Sequence, residues 1–144
     1  MIKRFDHLTI VVTDIAAAKR FFGLLGFRED ISVVISGDKF ARYMGVPGIE
    51  AEHVTLVADG VEPRTEIQLL RYLKPDALPD PEIRNLCKLG FNHVCFAVDD
   101  LDAVLARMTA NGFAARNEVM EFHRRKLVFL VGPEGVTVEL SQWL

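Results

Sequence analysis

Alternating apolar and polar positions open both ends of this chain. In Phe5-Asp6-His7-Leu8-Thr9-Ile10-Val11-Val12, Leu8, Ile10 and Val12 lie on one side of an extended strand, and His7, Thr9 and Val11 face the other way. Asp14 then stands where a helix cap belongs, small and apolar residues recur at helical spacing, and Gly26 closes the helix, predicting α structure over about 15–25. The pattern returns further on. Phe91-Asn92-His93-Val94-Cys95-Phe96-Ala97-Val98 repeats the first strand at a constant shift of 86 residues, Asp100 repeats Asp14, and Gly112-Phe113 repeats Gly26-Phe27. A second helix is predicted over about 101–111.

Three more strands are expected in each half, near 27–35, 53–58 and 65–72 and near 114–119, 126–131 and 136–142. The last strands also correspond, Thr65-Glu66-Ile67-Gln68-Leu69-Leu70 with Val136-Thr137-Val138-Glu139-Leu140-Ser141, but at a shift of 71, so the first half carries 15 extra residues. These are placed in Gly37 to Glu50, where residues 39–44 predict a short helix before the Gly45-Val46-Pro47-Gly48 turn. The expected organisation is one α+β domain over 1–144: a module over about 1–73, a Pro-rich linker over about 74–90 with a helical turn or two between Pro81 and Leu89, and a module over about 91–144.

Composition narrows the partners. The chain has 144 residues, half of them apolar, and a formal net charge of −3, which fits one soluble domain with a sizeable core. Apart from Arg124, Arg125 and Lys126 there is no basic stripe, so neither nucleic acid nor an anionic membrane is expected as a partner. No apolar run approaches the roughly 20 residues that span a bilayer, and no charged-then-apolar leader opens the sequence, so a cytoplasmic location is expected. Cys87 and Cys95 lack the paired spacing of a zinc knuckle or redox motif and read as buried thiols in a reducing compartment.

Strand parity carries the chemistry. It puts His7, Gln68, His93 and Glu139 on the faces turned away from the helices, one on each of four strands. A lone strand histidine is usually a hydrogen-bonded core residue. Two at equivalent positions, with Gln68 and Glu139 equivalent to each other, form a donor set of two imidazoles, an amide oxygen and a carboxylate that suits a divalent ion such as Zn, Co, Ni, Mn or Fe. Glu66, two residues before Gln68 on the same face, is an alternative ligand, although its place at a strand end favours solvent. His53 has the same parity, which turns Glu52 away. His123, Arg124 and Arg125 could grip a substrate anion or form a solvated loop, and Tyr43 with Arg42 could wall the site or pack at a dimer surface.

A histidine in each first strand and Gln or Glu in each last strand resemble the vicinal oxygen chelate superfamily. So do the segments Phe5-Asp6-His7-Leu8, Leu25-Gly26-Phe27, Asn92-His93-Val94, Val98-Asp99-Asp100 and Gly132 to Leu140, and the resemblance covers nearly the whole chain. It implies paired β-α-β-β-β modules whose strands curl around a metal, and a homodimer in which some members exchange modules. The His, Gln, His, Glu order is similar to methylmalonyl-CoA epimerase, and glyoxalase I uses a related quartet. From those relatives Glu139 is the first candidate acid/base and His53 the second. The glutamate that the epimerases carry on this strand appears here as His53, and their glycine-rich approach to the seventh strand is replaced by residues 120–125.

The expected reaction is proton abstraction beside a metal-chelated carbonyl with an adjacent oxygen, giving epimerisation or isomerisation of a methylmalonyl-CoA-like substrate or a cyclitol ketone such as 2-epi-5-epi-valiolone. The alternatives are a glyoxalase I-type lyase and an antibiotic or small-molecule binding protein without turnover. An extradiol dioxygenase ranks lower, because a fourth ligand at Gln68 would occupy a position that oxygen chemistry leaves open.

Overall fold

The computed structural model describes residues 1–144 and divides into two compact units, Met1–Pro79 and Asp80–Leu144. In the first, β1 (His7–Val11) leads into α1 (Ile15–Leu24), followed by β2 (Phe27–Ser36), α2 (Asp38–Met44), β3 (Glu50–Ala58) and β4 (Glu66–Lys74). The sheet order is β1-β4-β3-β2, with β1 parallel to β4 and the other pairs antiparallel. The parallel pair puts the first and last strands of the unit side by side.

Helix α1 starts where the sequence places its cap: the Asp14 carboxylate accepts from the Ala17 N–H at 2.9 Å. It ends as Gly26 takes a left-handed φ of 93°, open without cost only to a residue lacking Cβ. Its inner face, Ala18, Phe21 and Phe22, is fully buried, and the two phenyl rings meet edge to face with centroids 5.1 Å apart. Ile10, Val12, Val54, Leu56, Ile67 and Leu69 share that core. The opposite, concave face of the sheet is left to His7, Thr9, His53, Gln68 and Leu70, as strand parity predicts.

The second unit repeats the plan. It comprises β5 (Val94–Ala97), α3 (Leu101–Ala110), β6 (Met120–Phe122), β7 (Arg125–Val131) and β8 (Thr137–Trp143), in sheet order β5-β8-β7-β6 with β5 parallel to β8. Asp100 caps α3 through the Ala103 N–H at 2.9 Å, and Leu101 and Met108 bury against Val128, Leu130, Val138 and Leu140. Both units therefore have the α+β architecture read from the sequence.

Three local expectations are corrected. No strand runs over 114–119: Val131 N–H donates to Ala114 O and Arg116 N–H to Phe129 O, but the Asn117 side chain then accepts the Phe129 N–H at 3.0 Å, replacing a backbone rung, and regular pairing resumes only at Met120. Residues 81–89 form successive three-residue turns closed by Asp80, Glu82 and Asn85 carbonyls rather than a helix, and they pack within the second unit, where Arg116 donates to Arg84 O at 2.7 Å and Asn92 to Leu86 O at 2.6 Å. Both cysteines are exposed: Cys87 sits in those turns, and Cys95 lies on the sheet face away from α3.

Most of the 15-residue excess of the first half is α2 and its following turn, since residues 37–49 join β2 to β3 where residues 123–124 join β6 to β7. Ala41, Met44 and Val46 rest on a buried cluster of Ile35, Ile49, Ala51 and Leu70, so α2 roofs one end of the concave face of its sheet. The equivalent connection in the second unit is a tight turn at His123 and Arg124, both in left-handed conformation at φ 48° and 73°.

Candidate metal centre and its cavity

Each unit carries a candidate ligand pair of the same design. On β1 and β4 the register sets His7 opposite Glu66 and Thr9 opposite Gln68, so the His7–Gln68 pair is diagonal across two parallel strands. On β5 and β8, Cys95 is opposite Glu139, which makes His93, two residues earlier, diagonal to Glu139 in the same sense. The duplication has thus preserved a geometric relation as well as residue types.

Each imidazole is held from behind by the residue before it. His7 Nδ1 lies 2.7 Å from an Asp6 carboxylate oxygen, and His93 Nδ1 lies 2.7 Å from the Asn92 amide oxygen. Both partners are acceptors, so Nδ1 donates to each and Nε2 is the nitrogen left free for a metal. The hydrogen bond to His7 is also the largest influence holding the Asp6 carboxyl below the usual carboxylate range. Sequence reasoning missed this pair of orienting residues, although Asp6 and Asn92 stand at the same shift of 86 as the histidines.

Gln68 is oriented by a small network. Its Nε2 donates to Glu66 at 3.2 Å, which turns its Oε1 toward His53 Nε2 at 3.0 Å and Thr9 Oγ1 at 3.5 Å. Glu66 is in turn clamped by Arg64 Nε at 2.6 Å, and that guanidinium holds the carboxyl below its ordinary range and also reaches Asp30 at 2.6 Å. Glu66 is therefore half-buried and paired rather than left to solvent. The ligand atoms of Asp6, His7 and Glu66 lie within 4.8 Å of one another, which makes this half-site rich in donors.

In the second unit His93 Nε2 is 3.2 Å from Glu139 Oε2, with the carboxylate side chain only 14% exposed. Two donors each about 2.1 Å from one ion stand roughly 3.0–3.4 Å apart in octahedral or tetrahedral arrangements, so this spacing fits adjacent ligands of a divalent metal. The Phe129 ring, 5.2 Å from the imidazole between centroids, backs the pair. Although Cys95 is exposed as a residue, partial desolvation of its thiol by neighbouring groups first, and then the Glu139 carboxylate, push it up to about 12, so this cysteine is a neutral thiol at physiological pH. Ser141, on the same face of β8, buries a hydroxyl that has no hydrogen-bond partner.

The other anticipated residues are distributed unevenly. Tyr43 and His53 line a cavity of about 340 Å³ in the first unit. Its polar end is His7, Thr9, His53 and Gln68, and its apolar end is Val33, Ile35, Phe40, Tyr43, Met44 and Leu70. His123 and Arg124 form the exposed β6–β7 turn, and it is their neighbour Arg125 that folds back, its guanidinium 4.7 Å above the Trp143 ring.

A strand–helix–three-strand unit present twice, each copy carrying a histidine on its first strand and Gln or Glu on its last, defines a class. The family model described as Glyoxalase/Bleomycin resistance protein/Dioxygenase superfamily matches residues 6–129, and the chain belongs to that superfamily, the vicinal oxygen chelate proteins. The matched segment contains His7, Gln68 and His93 and ends before Glu139. The Escherichia coli (strain K12) protein YaeR is 25% identical over 146 residues, covering 98% of this chain and 97% of its own. A glyoxalase family protein from Bacillus cereus shares 26% identity and superposes with a TM-score of 0.90, over 100% of this chain and 96% of the other. The trypanothione-dependent glyoxalase I of Leishmania major, 17% identical, matches in fold with a TM-score of 0.69 over 98% and 87% of the two chains.

Proposed function

We propose that this protein is a metal-dependent enzyme that moves a proton on the carbon beside a chelated carbonyl, with epimerisation or isomerisation as the outcome. His7, Gln68, His93 and Glu139 are the ligands of one divalent ion, drawn from one chain or from two copies in a homodimer. The observation that carries this reading is the Glu139 carboxylate, 3.2 Å from a histidine whose other nitrogen is already hydrogen-bonded. The donor chemistry supports a borderline ion such as Zn, Co, Ni, Mn or Fe. Free, unpaired cysteines are in keeping with a cytoplasmic setting, and no helix is long and apolar enough to cross a membrane.

A bound divalent ion polarises the carbonyl oxygen and makes the neighbouring C–H more acidic. The chain supplies the proton acceptor. Of the two equivalent positions only Glu139 ionises, because Gln68 is an amide, so Glu139 takes the proton from the substrate carbon. Return of a proton to the opposite face gives the epimer, and delivery to the neighbouring carbon gives the isomer. His53 is the second candidate for that return. Its Nε2 is engaged with Gln68 Oε1, a carbonyl oxygen that only accepts, so Nε2 keeps its proton in that contact and the proton returned to the substrate is one that Nδ1 has first taken from solvent.

The measurement is direct. The metal content of protein loaded with Zn or Co is determined first, and then deuterium entry from solvent is followed in a panel of ketones bearing an oxygen next to the carbonyl. One metal per site, with exchange that vanishes in Glu139→Gln, is the expected result. Failure to retain stoichiometric metal would overturn the proposal. The shared fold with glyoxalase I keeps one second reading, a lyase acting on adducts of a thiol with a 2-oxoaldehyde; turnover of such an adduct without deuterium exchange into the ketones would select it.

A further inference from the structure

The first unit's cavity has two chemically different ends, and only one is accounted for by a metal site. We infer that its other end binds an uncharged apolar arm, on the order of ten carbon atoms, of a substrate whose oxygens reach the His7–Gln68 end; this rests on the metal reading above. The cavity's volume of about 340 Å³ is roughly twice that of an apolar cavity which takes up benzene. No Lys, Arg, Asp or Glu lines it. A coenzyme or peptide-thiol portion, with its phosphates or carboxylates, finds no cation there.

Its floor is fixed and its rim is open. Ile35 and Leu70 are 8% and 3% exposed and belong to the cluster on which α2 is seated, so the base keeps its shape. Val33 and Phe40 are 46% and 39% exposed, and Tyr43 is 82% exposed, leaving apolar surface that a ligand can cover. The roof is the α2 insertion, for which the second unit has only the turn at His123 and Arg124. The apolar subsite is thus specific to one half of the duplication. Tyr43 brings the single hydroxyl at the apolar end, placing one hydrogen-bonding group on the arm's outer side.

The test uses the full chain in two arms. In the Co-loaded protein, binding of acetohydroxamate, hexanohydroxamate and octanohydroxamate is followed through the Co absorption spectrum, with suberic acid monohydroxamate as the anionic counterpart of the longest. Affinity should rise about fourfold per methylene, octanohydroxamate should bind at least about tenfold tighter than the suberic compound, and Val33→Asp should flatten both trends while metal content stays unchanged. In the metal-free protein, the neutral fluorophore N-phenyl-1-naphthylamine should bind and should be lost in Val33→Asp and weakened in Tyr43→Ser. A flat chain-length series in metal-loaded protein, or fluorophore binding that ignores both substitutions, overturns the apolar subsite. Failure to load Co, with fluorophore binding still abolished by Val33→Asp, overturns the metal reading and leaves the subsite standing.

Discussion

Each histidine of the two half-sites has one nitrogen already committed. The Asp6 and Asn92 acceptors fix which nitrogen faces outward and at what angle, so that neither ring must reorganise when a cation arrives. Asp6→Ala and Asn92→Ala should each weaken Zn affinity about 10- to 100-fold with circular dichroism unchanged; an affinity equal to that of the native protein in competition with a chromophoric chelator would remove the orienting role. Glu139→Gln preserves shape and one ligand oxygen but cannot accept a proton. It should lower the exchange rate by a factor on the order of 10²–10⁴, and a rate within a factor of two of native would move the acid/base role elsewhere. Glu66 shows what a residue's surroundings add: its carboxylate accepts from Arg64 and from the Gln68 amide, which aims Gln68, and it also stands within 4.8 Å of the ligand atoms of Asp6 and His7.

At the scale of elements, the two helix starts are local and therefore predictable. Asp14 and Asp100 both accept from the N–H three residues on, and replacing either by Ala should cost about 1 kcal/mol, read from urea unfolding midpoints. Leu140, fully buried beneath α3, is a stronger test of packing: Leu140→Ala should cost about 2–5 kcal/mol. Strand parity was legible for the same reason as the caps, since a period of two allows only one assignment once the helix-facing side is known. The stretch 114–119 was not legible, because Asn117 substitutes its side chain for a backbone acceptor, and local propensity does not reveal that competition. Residues 81–89 failed likewise, their turns being held in part by a contact from Arg116, which lies distant in sequence.

For the molecule as a whole, ligand binding and folding are linked. Zn at a free concentration 100 times its dissociation constant should stabilise the native state by about 2.7 kcal/mol. For a chain of 144 residues that raises the melting temperature by roughly 5–10 °C, reversibly on adding chelator. An identical melting curve with and without Zn would argue against a specific centre.

The sequence by itself determined the duplication, the α+β units, the helix caps and the four residues on the sheet faces turned away from the helices, because all of these follow from periodicity and from comparison of the chain with itself. The insertion was also visible as a difference of 15 residues between two shifts. Only the tertiary structure decided what the insertion does: α2 folds over one end of the first sheet's concave face and makes an apolar cavity beside His7 and Gln68. It likewise decided that the thiols are exposed, that Arg125 rather than Arg124 folds back onto the sheet, and that Gln68 is aimed by Glu66 and His53. The physical reason is common to all four. They depend on which residues distant in sequence meet across strands, and that is fixed by register and packing, whereas a repeat or a cap is written within a single stretch of chain.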